Sequence, residues 1–268
     1  MFTYPGKFRH VIPALVAAIA AAGVLAAPAG ADTIQTISVA ATNVSGSGLP
    51  ADAVLQFDLN STAGTISISV DNTTADTHSA TQLLRSIYFE IGNGSSDLTT
   101  ASPSITSFQG SGESVGTLKQ ITVYSNGSYS TSTTTTDPWA ASSSVKTFTY
   151  TYGSGTYTIS NAYWLGDPPS DLLIGPPYGS PPGYTNANSS IAGNPPHNPF
   201  LGDTPTFVLS ATGLTPGERI EDAVVGWGTT TGSGYTPTLI TGTVPEPATL
   251  ALLALGGLGL LMRRRARE

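Results

Sequence analysis

The 268-residue chain contains no cysteine. That excludes disulfide staples, thiolate nucleophiles and cysteine-ligated zinc. Charge is scarce as well: 10% of the residues are Asp, Glu, Lys or Arg, and the formal net charge is −7. Basic residues are rarest in the middle of the chain. Residues 32–244 hold four (Arg85, Lys119, Lys146 and Arg219) against fifteen acidic ones, a net charge of −11. A body of that sign repels phosphate backbones and anionic lipid, so no nucleic acid is expected as a partner. Histidine is thin too, with only His78 and His197 beyond His10. A helical apolar stripe is missing from the body, and only 80–86 could form a helical turn.

What is present is a period of two. Leu55, Phe57 and Leu59 alternate with polar residues, as do Ile66, Ile68 and Val70. Asn60-Ser61-Thr62-Ala63-Gly64 between them is a turn signal, so 54–71 reads as a hairpin. Ile87, Phe89 and Ile91 continue the pattern, followed by Ile121 and Val123, by Phe148, Tyr150 and Tyr152, and by Tyr157 and Ile159. Phe207 and Leu209, then Val224, Val225 and Trp227, close it. Short Ser/Thr-rich strands punctuated by glycine imply an all-β fold, an antiparallel β-sandwich of jelly-roll-like kind. Two segments break the alternation. Residues 125–144 are a Ser/Thr tract, read as an exposed loop with a hairpin of polar strands as the alternative. Residues 167–199 hold nine prolines. Proline cannot donate to a sheet ladder, so this stretch reads as a long irregular loop of polyproline II character.

The two ends follow different rules. Lys7, Arg9 and His10 precede an apolar run from Val11 to Ala27, and Ala29-Gly30-Ala31 comes before Asp32. A positive start, an apolar stretch and small residues at −3 and −1 are the requirements of a secretory signal peptide. The cut is expected between Ala31 and Asp32, with signal peptidase and the secretion machinery as partners. An uncleaved membrane helix is the alternative. At the other end Ala248–Met262 is uncharged, and Arg263, Arg264, Arg265 and Arg267 follow. Fifteen helical residues span roughly 23 Å, short of the ~30 Å hydrocarbon core. The arginines act as a cytoplasmic stop, which leaves the body outside the membrane. The division is therefore a signal helix at 1–31, a β-sandwich body at 32–244, and a tail at 245–268 with a short transmembrane helix.

Pro245-Glu246-Pro247, the apolar segment and the arginine cluster, in that order, closely resemble the PEP-CTERM sorting signal. Residues 200–243 are loosely similar to the strands that precede such signals. The resemblance implies an exosortase as processing partner, cleavage near Pro245–Pro247, and transfer to the cell surface or extracellular matrix. It also implies a bacterium that makes exopolysaccharide, a further candidate partner. The membrane anchor would then be transient, and the weak helix-forming Gly256, Gly257 and Gly259 suit a segment that must be released. A permanent tail anchor is the alternative. The motif itself makes physical sense, because each proline fixes φ and pushes its predecessor into extended geometry, which suits a protease cleft.

No catalytic constellation can be read from the body, so a non-enzymatic role is expected, with no cofactor and no metal. Each candidate has a structural reading beside the chemical one. His78 follows Asp71, Asn72 and Asp76, a set able to hold a metal, but a polar turn is the preferred reading. Glu90 should face away from Ile87, Phe89 and Ile91, toward solvent. Glu218, Glu221 and Asp222 cluster in a turn entering a strand, and a carboxylate pair there would suit glycoside hydrolysis. Tyr150, Tyr152, Tyr157, Tyr163, Trp164, Tyr178 and Tyr184 could stack on sugar rings or fill a core. A secreted carbohydrate-binding module or glycoside hydrolase is the alternative to a surface protein without catalysis.

Overall fold

The computed structural model describes residues 33–44, 47–92, 104–111, 118–134, 139, 141–142, 144–166, 172–177, 184–229 and 234–237. The apolar stretches at 11–27 and 248–262 lie outside them, as do the expected signal and tail helices. Among the described residues no helix is long and apolar enough to cross a membrane.

Among the described residues fourteen strands carry the fold: β1 (Thr33–Ala41), β2 (Ala51–Asn60), β3 (Thr65–Asn72), β4 (Leu84–Gly92), β5 (Ser104–Ser111), β6 (Leu118–Val123), β7 (Tyr129–Thr134), β8 (Lys146–Tyr152), β9 (Gly155–Gly166), β10 (Ile174–Gly175), β11 (Phe200–Gly202), β12 (Thr206–Thr212), β13 (Arg219–Trp227) and β14 (Tyr235–Pro237). The 54–71 hairpin is present as β2 and β3, in continuous register from Ala53↔Asn72 to Asn60↔Thr65. Its turn is closed by Asn60, whose Oδ1 accepts from the Ala63 N–H (2.7 Å), and by Gly64 in the left-handed region (φ 63°).

One sheet has the order β1-β2-β3-β12-β5, and the other β14-β13-β4-β10-β11-β6-β7, with β9 also paired to β4 and β8 to β9. All pairs are antiparallel except β10 with β11. The sheets are therefore antiparallel to mixed. The late strands β12 and β13 slot beside β3 and β4, so one early–late pair stitches each sheet together. The side chains predicted by alternation form the core: Leu55, Phe57, Leu59, Ile66, Ile68, Val70, Phe207 and Leu209 from one sheet meet Ile87, Phe89, Ile91, Val225 and Trp227 from the other. Side chains of both sheets share this core. Phe57 and Phe89 touch across it at 5.4 Å between centroids. Each such fully buried side chain stabilises the fold by about 1.5–3 kcal/mol. The buried Gln35 of β1 adds a polar tie between the layers. Its amide nitrogen donates to the Ile220 carbonyl (3.1 Å), and its oxygen accepts from the Ile220 N–H.

Three expectations need correction. The Ser/Thr tract is not simply a loop, because 129–134 is a strand paired to β6 along its whole length. Threonine and serine with both faces in water still satisfy a ladder, and the Asn126-Gly127 turn brings the strand back. The helical turn predicted over 80–86 is a 3-10 turn at 80–82 only, and β4 begins at Leu84. The proline-rich stretch is irregular in part, but it is a structural layer. It contributes β10 and a 3-10 turn (Pro195–His197), and buries Leu173, Tyr184 and Ile191 against Leu83, Ile121, Val123 and Phe200. Its side chains also serve neighbouring backbone: the Asn198 side-chain oxygen accepts from the Val123 N–H (2.9 Å) and its amide nitrogen donates to the Val123 carbonyl (2.6 Å).

Candidate functional site

Alternation in β4 sends Ile87, Phe89 and Ile91 into the core, so Tyr88 and Glu90 project from the opposite, outer face. The hairpin of β8 and β9 folds over that face and over β13 and β14. Its inward side chains, Tyr150, Ile159 and Ala162, bury a small cluster with Val224 and Tyr235, and Tyr88 and Phe148 pack against it. The rings form a ladder. Tyr88 stacks on Phe148 (3.6 Å between centroids, 9° between planes), Phe148 on Tyr150 (5.8 Å, 14°), and Tyr150 on Tyr157 (5.5 Å, 22°). Tyr235 meets Tyr88, Phe148 and Tyr150 at steep angles. Tyr150 is buried, Tyr88 and Phe148 are half-buried, and Tyr157 is half exposed.

Two carboxylates share this face. Asp222 of β13 pairs in register with Glu90 of β4, after a bulge that follows Ile220. Residues opposite one another on one face have Cβ atoms about 4.5–5.5 Å apart. Glu90 accepts from the Asn161 amide on β9 (3.3 Å), so it is half-buried and hydrogen-bonded, where sequence alternation pointed it at solvent. Burial pushes the Asp222 carboxyl above its usual range, partly offset by a hydrogen bond from the Ala223 backbone. Burial, then the Asp222 charge and Tyr157, hold the Tyr150 hydroxyl protonated up to about 12. A half-buried acid with a raised pKa beside a second carboxylate has the chemistry of a proton donor.

The other acidic candidates disperse. Glu218 is buried and closes the turn before β13 by accepting from the Thr215 N–H. Glu221 points toward Arg219 (3.9 Å). His78 pairs with Asp76 (2.7 Å), and Asp76 also accepts from the Asn186 amide (3.1 Å and 3.2 Å). That trio clasps the 73–79 loop to the proline-rich layer, where Asn188 N–H also meets the His78 carbonyl (2.7 Å). Asn72 is fully buried, with its amide donating to the carbonyls of Gln82 and Ile174 (3.0 Å and 2.9 Å). Asn72, Thr74 and Asp76 thus spend their side-chain polar groups on the fold. Among the described residues no three or more His, Asp or Glu side chains gather as metal ligands. His197 closes its 3-10 turn through a backbone bond to Asn194 (3.1 Å).

Of the aromatic candidates, Tyr150, Tyr163 and Tyr184 are buried, Trp164 is half-buried, and Tyr152 and Tyr157 are exposed. Tyr178 lies outside the described residues. Sequence reasoning missed Tyr88, Asn161 and Tyr235 as members of this face. The parity of β4 could have found Tyr88, but nothing in the sequence announces that β8 and β9 fold across the sheet. Ala29, Ala31 and Asp32, Pro245, Glu246 and Pro247, and Arg263, Arg264, Arg265 and Arg267 all lie outside the described residues.

Comparison with known proteins bears on that second group. The PEP-CTERM protein-sorting motif matches residues 243–265, which include the Pro-Glu-Pro triplet, the apolar run and the first three arginines. The chain therefore carries a tail of the kind handled by exosortases, the mark of an exported protein that is briefly membrane-anchored. No curated protein and no solved structure matches the chain.

Proposed function

With a PEP-CTERM sorting motif at 243–265 as the premise, we propose that the protein is a non-enzymatic component of the cell surface or extracellular matrix, held in association with exopolysaccharide. The motif is the observation that carries this reading. The signal peptide at 1–31 would start export and be cut after Ala31. The segment 248–262 would halt in the inner membrane with Arg263, Arg264, Arg265 and Arg267 on the cytoplasmic side. Exosortase cleavage near Pro245–Pro247 would then release the 32–244 β-sandwich to the outside.

The fold supports that route. β1 starts at Thr33 and lies against β13 and β14, and β14 ends at Pro237. Both membrane-directed ends of the body thus leave from neighbouring strands. Seven residues, 238–244, separate β14 from the Pro245-Glu246-Pro247 triplet and reach at most about 25 Å when extended. A folded body can hang from one edge while its tail is cut. The cysteine-free, acidic composition also suits a protein that works outside the cell without redox chemistry.

Cell fractionation with intact-mass measurement tests the proposal. The mature protein should appear at the surface or in the medium, lacking both the first 31 residues and the tail. Replacing Pro245, Glu246 and Pro247 together by alanine should leave a heavier form in the inner membrane. Wild-type protein that keeps its full mass in the inner membrane or cytoplasm would refute the reading.

The Glu90–Asp222 pair favours a second reading, a glycoside hydrolase. Turnover of a polysaccharide by the wild type that Glu90→Gln abolishes would establish it, and no turnover of any polysaccharide offered would remove it.

A further inference from the structure

Among the described residues five large apolar side chains are exposed, and four of them are tyrosines: Tyr124, Tyr129, Tyr152 and Tyr157. They come in two pairs, each flanking the turn of a hairpin. Tyr124-Ser125-Asn126-Gly127-Ser128-Tyr129 joins β6 to β7, and Tyr152-Gly153-Ser154-Gly155-Thr156-Tyr157 joins β8 to β9. The first turn is closed by backbone bonds from Tyr124 to Ser128 (2.8 Å) and from Gly127 to Tyr124 (2.9 Å).

Three of the four rings are held in place. Tyr124 shares a hydrogen bond with the Ser130 hydroxyl (2.9 Å), and Tyr129 leans edge-on against the buried Tyr184 (6.1 Å, 74°). Tyr157 backs onto Tyr150, the last buried rung of the ladder. Between 38% and 47% of each tyrosine remains open to solvent, so each ring can present surface to a ligand. Serine, threonine, asparagine and glycine surround them, and neither turn carries a charge. Tyrosine supplies a broad amphipathic contact at low entropic cost, while serine and asparagine supply adaptable hydrogen bonds. Such a surface matches a sugar, whose C–H face stacks on a ring and whose hydroxyls take the polar bonds. Uncharged tips on a body of net charge −11 repel a polyanion and accept a neutral chain.

Strand order separates the two tips. β7 ends one edge of the larger sheet and β14 the other. The β8–β9 hairpin joins the sheet at β4 through β9 and packs across to β14, with Phe148 against Tyr235 at 5.0 Å. β4 and β14 lie four and six strand places from β7, so at about 4.8 Å per spacing the hairpin sits roughly 19–29 Å from that edge.

We propose that the two tyrosine-crowned hairpin tips are separate binding sites for an uncharged polysaccharide, and that the protein cross-links chains of it. The proposal rests on the reading of the protein as an exported matrix component, where such chains would be met.

Full-length protein in detergent, mixed with dextran and cellulose as neutral probes and alginate as a polyanionic one, tests it. The wild type should bind a neutral probe and not alginate. Replacing Tyr152 and Tyr157 by alanine, or Tyr124 and Tyr129, should weaken binding about tenfold per pair, and all four changes should abolish it. Tyr→Phe at each position should stay within about threefold, because the ring face is kept. With soluble dextran the wild type should raise viscosity, whereas a variant with one tip left should bind without doing so. No retention on either neutral probe, tighter binding to alginate, or unchanged binding after all four alanine changes would overturn the proposal. So would a four-alanine variant that alters only the protein's self-association, which would make the tips an interface between copies. Protein found at the surface but failing these tests would sink this inference alone, and protein that binds glycan but stays in the inner membrane would sink the sorting reading alone.

Discussion

Gln82 should be the most sensitive polar side chain in the body. It is 1% exposed and ends the 3-10 turn before β4. Its oxygen accepts from the backbone N–H of His78 (2.7 Å) and Ser79 (3.1 Å). Its nitrogen donates to the carbonyls of Pro50 (2.8 Å) and Asp76 (3.0 Å). One amide therefore serves four backbone groups in two loops. Gln82→Met keeps length and volume and removes all four bonds. Each backbone group left dry costs about 1–3 kcal/mol, but water can reach part of the 73–79 loop, so the summed loss should be about 3–4 kcal/mol. At about 2–4 °C per kcal/mol for a body of this size, Tm should fall by about 10 °C. Thermal unfolding followed by circular dichroism measures this, with Thr62→Ala in the exposed β2–β3 turn as a neutral control. Hydrogen exchange at the His78 and Ser79 amides should accelerate in parallel. A Tm within about 2 °C of wild type, with both amides still protected, would show that the loop is held by something else.

Other perturbations separate packing from charge. Gly202 of β11 faces Ile121, which is fully buried, and a Cβ at 202 would collide with the isoleucine side chain. Gly202→Ala should therefore cost about 1–3 kcal/mol, read as a lower denaturation midpoint, and an unchanged midpoint would mean that β11 shifts freely. Asp222 has a folded pKa raised by burial. Its unfolded form ionises first as pH rises, so the ionised carboxylate destabilises the fold above that folded pKa, and the penalty fades as pH falls back toward the unfolded value near 3.8. Asp222→Asn should consequently raise Tm at pH 7 and give no gain at pH 3, and a gain of equal size at both would refute the assignment. The same variant should bring Tyr150 ionisation below about 12 in a spectrophotometric titration, because the Asp222 charge helps hold it there.

The period of two made most of the strands legible. Wherever one face is buried and the other wet, as in β2 and β3, parity names the core residues without reference to any partner. Strands that lack such contrast stayed hidden. β7 is Tyr-Ser-Thr-Ser-Thr-Thr, polar on both faces, so its pairing with β6 leaves no trace in hydropathy. β10 is two residues long and is defined only by its neighbours. The proline-rich segment misled for a related reason. Proline density rules out a ladder, yet Tyr184 and Ile191 can still be buried by a chain that satisfies its backbone locally. The same limit applies to the candidate site. That Glu90 shares a strand face with Tyr88 follows from parity, but its meeting with Asp222 depends on a bulge after Ile220, and the contact with Asn161 on how β9 crosses the sheet.

That difference bears on where the protein keeps its specificity. The sorting tail is a local code of a triplet, an apolar run and arginines in order, which a membrane enzyme can read from an extended chain and which is legible for that same reason. Recognition by the body would be distributed over strands far apart in sequence. Its inner aromatic rungs act as a support that fixes Tyr157 at the end of a stack, and Tyr184 does the same for Tyr129. Exposed tyrosines on bare hairpins would lose rotamer freedom on binding, whereas rings already pinned from behind surrender less. On this logic Phe148→Ala, which leaves every exposed tyrosine in place but removes a rung between Tyr88 and Tyr150, should weaken glycan binding at the β8–β9 tip and leave the β6–β7 tip unaffected. Equal loss at both tips would mean that the ladder supports the whole fold and not one site.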